Sequence, residues 1–205
     1  MIELQETLLF VTSCYTTYLK DVDRNKIIES VNSIKQTQKG NQLSNAGGYQ
    51  SHSLKSPNYD CLETMKLFEN LVIPIGKRIS KEWGLPSDMN NVSYWYNINP
   101  KYSYNQEHNH PNCFLSGVFY LKIPTNSGKI FFLRSNTECD RMNFITSVLS
   151  NKGMNVDNNR INCEHWFVPY EGLLILFPSY LTHYVEQNLT DDLDSDRVSL
   201  AFNFS

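Results

Sequence analysis

The sequence predicts a mainly β fold with N-terminal helices, a jelly roll, and three observations carry that prediction. Up to Trp83 the apolar residues recur at helical spacing, on one stripe. From Val92 onward the period drops to two and the residues become aromatic and β-branched. Turn-forming clusters then cut the remaining chain into about eight short runs, the number a double-sheet roll requires.

The first helix starts at Asp23-Arg24-Asn25, where Asp23 offers a cap, and runs through Ile27, Ile28, Val31 and Ile34. Gly40 and the polar segment Asn41 to Ser51 end it, and Ala46-Gly47-Gly48 reads as a turn. A second helix fits Asp60 to Trp83, with Leu62, Met65, Phe68, Leu71, Ile75 and Ile79 on one face and Gly84-Leu85-Pro86 as its stop. Pro74 falls inside that pattern and should kink or split it. The expected strands are Val92 to Ile98, Gln106 to His110, Leu115 to Ile123, Lys129 to Arg134, His165 to Pro169, Leu173 to Pro178, His183 to Glu186 and Arg197 to Phe204. The stretch Asn136 to Glu164 has no clear period and interrupts the β region as an insertion of the kind that shapes binding sites. One domain over residues 1–205 is expected: a helical support region at 1–90, then a jelly-roll core at 91–205 with the insertion at about 136–164.

Composition narrows the function. The chain of 205 residues is 40% apolar and 19% charged, as a folded globular protein is. Its net charge of −3 and lack of any basic run argue against general nucleic-acid binding. Five cysteines, odd in number and without a C-x-x-C spacing, indicate neither a zinc finger nor a disulfide framework. Glu3 and Glu6 precede only a short apolar run, unlike a signal peptide, and no stretch approaches membrane-spanning length. The expectation is a cytoplasmic protein in a reducing compartment, where the sequons at Asn91, Asn188 and Asn203 carry little meaning. Oligomeric state leaves no trace in the sequence.

The chemistry centres on His108-Asn109-His110-Pro111 and His183. Side chains two apart on a strand share a face, so His108 and His110 can enter one cavity, and a third imidazole from a distant strand completes a metal site with open positions. Glu107 should face away. His52 and His165 lack a partner at strand spacing and read as structural or surface residues, although the insertion could bring His165 into the pocket. In Arg197-Val-Ser199 the arginine and serine share a strand face. They suit a carboxylate gripped by a guanidinium fork and a hydroxyl, but the same polar face could equally point to water. Tyr120 sits on a strand apolar on both faces, as a core phenol or as a donor to a bound carboxylate. No Walker, nucleophile-elbow or dinucleotide motif occurs.

Taken in order, these segments resemble the 2-oxoglutarate- and Fe(II)-dependent oxygenases, which are built on a double-stranded β-helix. The likeness is nearest the prolyl-hydroxylase-like branch and its phage- and bacteria-associated members. It rests on Ser44 to Ser51, Trp95 to Asn99, His108 to Asn112, Leu115 to Leu121, Gly172 to Ser179, His183 and Arg197 to Asn203, which together span most of the chain from Ser44 onward. The resemblance implies His108 as first iron ligand and His183 as the distal one. It implies Arg197 and Ser199 on the far carboxylate of 2-oxoglutarate, with Tyr120 assisting. It also exposes a departure: the wider family usually supplies Asp or Glu where this chain has His110. The reading is a 2-oxoglutarate-dependent dioxygenase with Fe(II) on His108, His110 and His183, acting on an unidentified small-molecule or peptidyl substrate. Trp95, Tyr96 and Trp166 are candidates for the substrate mouth. Two alternatives remain: a three-histidine dioxygenase that uses no keto acid, and a jelly-roll binding module whose metal only organises a ligand site.

Overall fold

The computed structural model describes residues 11–85, 91–135, 139, 162–192 and 195–205. The region of period two becomes two antiparallel sheets built on eight strands. These are β5 (Val92–Asn99), β6 (Tyr104–His108), β7 (Leu115–Lys122), β8 (Ile130–Leu133), β9 (Glu164–Phe167), β10 (Leu173–Pro178), β11 (His183–Val185) and β12 (Arg197–Phe204). Four shorter strands precede them: β1 (Tyr15–Tyr18), β2 (Asn45–Ala46), β3 (Tyr49–Gln50) and β4 (Leu54–Lys55). The larger sheet runs β1-β10-β7-β12-β5-β3, with β4 also on β5, and the smaller runs β2-β6-β11-β8-β9. The jelly roll expected from the eight runs is therefore present. The segment Asn41 to Ser51 is more ordered than its polarity suggested, because two-residue strands are too short to show a period.

Two corrections concern the ends and breaks of elements. The strand expected over Gln106 to His110 ends at His108, so His110 lies just beyond it. It still follows the strand's course: the residue before a proline is held extended, and the His110 N–H donates to Ser179 O at 2.9 Å. The helix expected over Asp60 to Trp83 is α2 (Leu62–Leu67), a π-helical turn at Phe68–Val72 and α3 (Ile73–Glu82). Pro74, which has no N–H to donate, sits at the start of α3. The wider turn, in which Ile73 N–H reaches back to Phe68 O, makes room for its ring. The first helix, α1, spans Arg24–Thr37 with Asp23 accepting from Lys26 N–H, as expected. The Asn136 to Glu164 insertion and the Pro86 stop lie largely outside the described residues.

Strand alternation divides the larger sheet into two faces. Val92, Tyr94, Tyr96 and Ile98 of β5, with Val198, Leu200, Phe202 and Phe204 of β12, pack against the helices in the main core. The helices approach closely at one point, where a Cβ on Gly76 of α3 would meet the Phe204 ring at 2.4 Å. Asp60 ties the same layer together by accepting from the hydroxyls of Tyr94, Tyr96 and Ser30. The opposite face carries Trp95, Asn97 and Asn99 beside Arg197, Ser199 and Ala201 in register. The polar face of β12, which the sequence left divided between water and interior, points inward between the sheets, where Val118, Ile175 and Phe177 of the larger sheet meet Ile130 and Phe132 of the smaller.

Gly117 on β7 makes room for the Phe202 ring, since a Cβ there would sit 2.3 Å from that ring and 2.8 Å from Ile175 O. Gly117→Ala is therefore expected to lower stability by roughly 1–3 kcal/mol through overpacking. The effect should appear as a lower urea midpoint at unchanged slope; an unmoved midpoint would mean that the ring swings aside without loss.

Candidate metal centre

The smaller sheet brings the imidazoles together. His183 on β11 pairs directly with His108 at the end of β6, and His110 joins them from the extended segment that follows. Ring centroids lie 4.3 Å apart for His108 and His183, 5.0 Å for His108 and His110, and 5.1 Å for His110 and His183. One ring nitrogen from each falls within 4.8 Å of the others, close enough to hold a metal ion.

Their orientation follows from simple hydrogen bonding. Nδ1 of His108 lies 2.7 Å from Gln106 O, and Nδ1 of His183 lies 2.9 Å from Leu181 O. A carbonyl only accepts, so each Nδ1 carries the proton and each Nε2 keeps its lone pair for a metal. The His110 ring is instead held by aromatic neighbours, with Trp95 at 5.6 Å and Phe177 at 6.5 Å between centroids. Burial drives all three rings toward the neutral form. It lowers His108 below its usual range, His110 to about 4 and His183 to about 3, with the neighbouring imidazoles adding to the last two. The donor set is thus uncharged nitrogen, which suits first-row divalent metals.

Across the cavity stand the three other residues singled out from the sequence. Arg197, Ser199 and Tyr120 line the same space as the imidazoles. Arg197 is 1% exposed. Its Nη1 donates to the carbonyls of Ser127 and Glu186, while Nη2 has no partner among the described residues. Burial lowers its pKa to about 10, still far above neutrality, so the group stays cationic. The buried Tyr120 hydroxyl also lacks a partner among the described residues, and desolvation pushes its pKa up, so it remains a donor. Two orphaned donors facing one cavity fit a carboxylate, and three converging imidazoles fit a divalent metal.

Other expectations sort by strand alternation. Glu107 is exposed, as are His52 and His165, none of them in the trio. Trp95 lines the cavity. Tyr96 does not, because its hydroxyl binds Asp60 on the helix side. Trp166 is paired with Phe131 on the outer face, with Lys129 Nζ 4.0 Å over its ring. The sequence reading missed Ser44, Asn97 and Asn105, which also line the cavity. The period of β5 would have found Asn97, since it shares a face with Trp95 and pairs with Ser199. A wider hollow of about 830 Å³ between Ile123–Lys129 and Val168–Glu171 shares Ser127 and Glu186 with the surroundings of Arg197, but the imidazoles do not open into it.

Comparison with known proteins places this geometry. No curated protein matches the sequence. Among solved structures, a Pseudomonas putida prolyl-4-hydroxylase superposes with a TM-score of 0.62 at 15% identity, over 94% of this chain and 91% of its own. A Trichoplax adhaerens prolyl hydroxylase, solved with a hypoxia-inducible-factor peptide fragment, gives 0.60 at 13% identity, over 94% and 82%. HygX from Streptomyces hygroscopicus, solved with nickel and 2-oxoglutarate, gives 0.54 at 10% identity, over 95% and 83%. These likenesses show a shared fold, the double-stranded β-helix. The family described as "Putative 2OG-Fe(II) oxygenase" matches residues 93–203, the span that holds all three imidazoles and Arg197. The chain belongs to that family of 2-oxoglutarate- and Fe(II)-dependent oxygenases.

Proposed function

We propose that His108, His110 and His183 hold the iron, and that Arg197, Ser199 and Tyr120 take the far carboxylate of 2-oxoglutarate, in a dioxygenase that hydroxylates a small-molecule or peptidyl substrate. The observation that carries this reading is the pairing of three convergent imidazole nitrogens with two unpartnered buried donors in one cavity. Iron(II) with the keto acid and dioxygen supplies the oxidant, by oxidative decarboxylation to succinate and CO2. The protein's residues do the rest. Gln106 O and Leu181 O fix the tautomers of His108 and His183. Phe132, Phe177 and Trp95 pack on the imidazoles and keep bulk water off them. The free space is about 50 Å³, smaller than a five-carbon diacid, so the walls of the cavity move apart as the ligand enters. No helix among the described residues is long and apolar enough to cross a membrane. The odd number of cysteines without a C-x-x-C spacing is what supports a reducing, cytoplasmic setting.

Anaerobically loaded wild-type protein is expected to bind one Fe(II) and to release succinate from 2-oxoglutarate once oxygen is admitted. His108→Ala and His183→Ala should each weaken metal binding by well over 10-fold, since loss even of outer partners costs about that much. His110→Asp should keep iron and shift the visible charge-transfer band of the keto-acid complex. Oxygen uptake without succinate would reject the keto-acid assignment, and unchanged metal content in both alanine variants would reject the histidine one.

Proton competition gives an independent check. Metal binding requires neutral imidazoles, and these are already neutral in the free protein. Ni(II) affinity should therefore fall by no more than about tenfold between about pH 7.5 and about pH 5.5. Three ordinary imidazoles, each titrating near 6.5, would lose roughly a thousandfold over that span. A loss of that size in calorimetric titration would mean that the rings are solvated and not gathered in the cavity.

A further inference from the structure

We propose that Cys139 and Cys163 form a redox-active pair: a small disulfide of the glutathione class oxidises them to an intramolecular bridge that ties the chain leaving β8 to the chain entering β9, beside His183. Of the other cysteines, Cys14 packs into the inner core cluster and Cys61 against the Thr64 hydroxyl. Cys139 and Cys163 stand 24 apart in sequence (163 − 139), a separation with no motif to mark it. The fold brings them together.

Their meeting is built from the main chain outward. The pairing of β8 with β9 reaches Leu133 and Glu164. It continues one step further, because Arg134 N–H donates to Cys163 O at 2.8 Å and Arg134 Nε to Asn162 O at 3.2 Å. The chain then turns back, with Cys139 N–H donating to Ser135 O at 2.9 Å. That turn lays Cys139 against Cys163. Cys139 Sγ lies 3.7 Å from Arg134 O and 3.8 Å from Cys163 O, and Cys163 Sγ lies 3.8 Å from Cys139 O. Each sulfur thus touches the other residue's carbonyl, a contact made from both sides. A bridge accepts Cα separations of about 4.4–6.8 Å. Turning each side chain about χ1 carries its sulfur off the opposing carbonyl and toward the opposing sulfur. Both residues are partly exposed, so a small reagent reaches them.

The exchange balances in two steps. The thiolate of one cysteine attacks glutathione disulfide, breaks its S–S bond and releases one glutathione thiol. The thiolate of the other then attacks the protein sulfur of that mixed disulfide and releases the second. The pair gives up two protons and two electrons, and glutathione disulfide becomes two thiols; excess thiol reverses the reaction. In a reducing compartment such a bridge is transient, as in a redox sensor. Its place gives it an effect. Among the described residues β9 is the edge of the smaller sheet and pairs with β8 alone. Phe132 of β8 pairs with His183, and its ring lies 5.9 Å from that imidazole. Leu133 N–H donates to Thr182 O, the residue before His183. A covalent tie at this end restrains the fraying of β8 and β9 and stiffens the strand behind His183.

The test uses the iron-loaded full chain, kept anaerobic so that added glutathione disulfide is the sole oxidant. Remaining thiols are alkylated and the peptides mapped by mass spectrometry without reduction. A cross-link between the Cys139 and Cys163 peptides is expected, reversed by dithiothreitol and retained in Cys113→Ser. Cys139→Ser and Cys163→Ser should each leave the other cysteine as a mixed disulfide with glutathione. The ratio of bridge to mixed disulfide should exceed that of the urea-unfolded chain by about 10-fold or more, since unfolded ends meet only by chance closure of the loop. Exchange of the Arg134 amide hydrogen, which is held by Cys163 O, should slow by about threefold or more in the bridged form. Equal ratios in folded and unfolded chain, or glutathione on both cysteines with no bridge, would overturn the pairing. Unchanged exchange at Arg134 would overturn the effect on the strand behind His183.

Discussion

A guanidinium buried with no carboxylate bonded to it among the described residues is the constraint around which the rest of this structure is arranged. Arg197 is almost wholly enclosed, and its partners within the protein are the carbonyls of Ser127 and Glu186. Removing a cation from water costs several kcal/mol even after relaxation, and two neutral acceptors offset only part of that. The fold tolerates the cost because β12 lies inside the larger sheet, paired on both edges by β5 and β7. Its outer face is fixed by Val198, Leu200, Phe202 and Phe204 in the core. A one-residue slip would turn that apolar face inward, so the same burial that stabilises β12 compels Arg197 and Ser199 to face the cavity.

The charge of the other wall is set by what the imidazoles lack. Three buried, neutral rings contribute no negative charge. A divalent metal on them keeps its full charge, where the carboxylate usual in related enzymes would cancel one unit. With Arg197 opposite, the filled cavity is cationic at both ends. A dianionic keto acid is the ligand that suits such a field, since each of its carboxylates meets a positive centre across a poorly screened interior. Under the proposed assignment, histidine in place of the carboxylate would tie metal binding and cosubstrate binding more closely to one another than a charge-balanced site would.

Much of this was legible in the sequence because period and polarity agreed. The alternation of Arg197 to Phe204, the H-x-H spacing before Pro111 and the lone later His183 each survive intact in the structure. What the sequence hid has physical causes. Tyr96 and Trp166 looked like mouth residues because aromaticity does not encode a face; only pairing with Leu200 and Phe131 shows that both point away from the cavity. The inward direction of the polar face of β12 could not be read, since polar residues facing water and facing a charged ligand obey the same alternation. Asn97 was readable from the period of β5, but its partner Asn45, fifty-two residues earlier, sits on a strand of two residues that leaves no periodic trace.

The two halves of the site also differ in what stands behind them. The residues proposed to bind the anion sit on the larger sheet, whose reverse face is welded to α1, α2 and α3 by Phe68, Phe202, Phe204 and the Asp60 hydroxyl cluster. The imidazoles sit on the smaller sheet, whose outer face bears the half-exposed Trp166 and the Phe131–Tyr184 stack and no helix in the described residues. Local stability follows buried apolar contact, so the cosubstrate wall is the rigid reference and the metal wall the more compliant partner. Asn45 bridges them, since β2 belongs to the smaller sheet and its amide bonds Asn97 and Asn99 on the larger. A ligand that touches both walls is therefore positioned by the stiff one, and the softer wall yields to it.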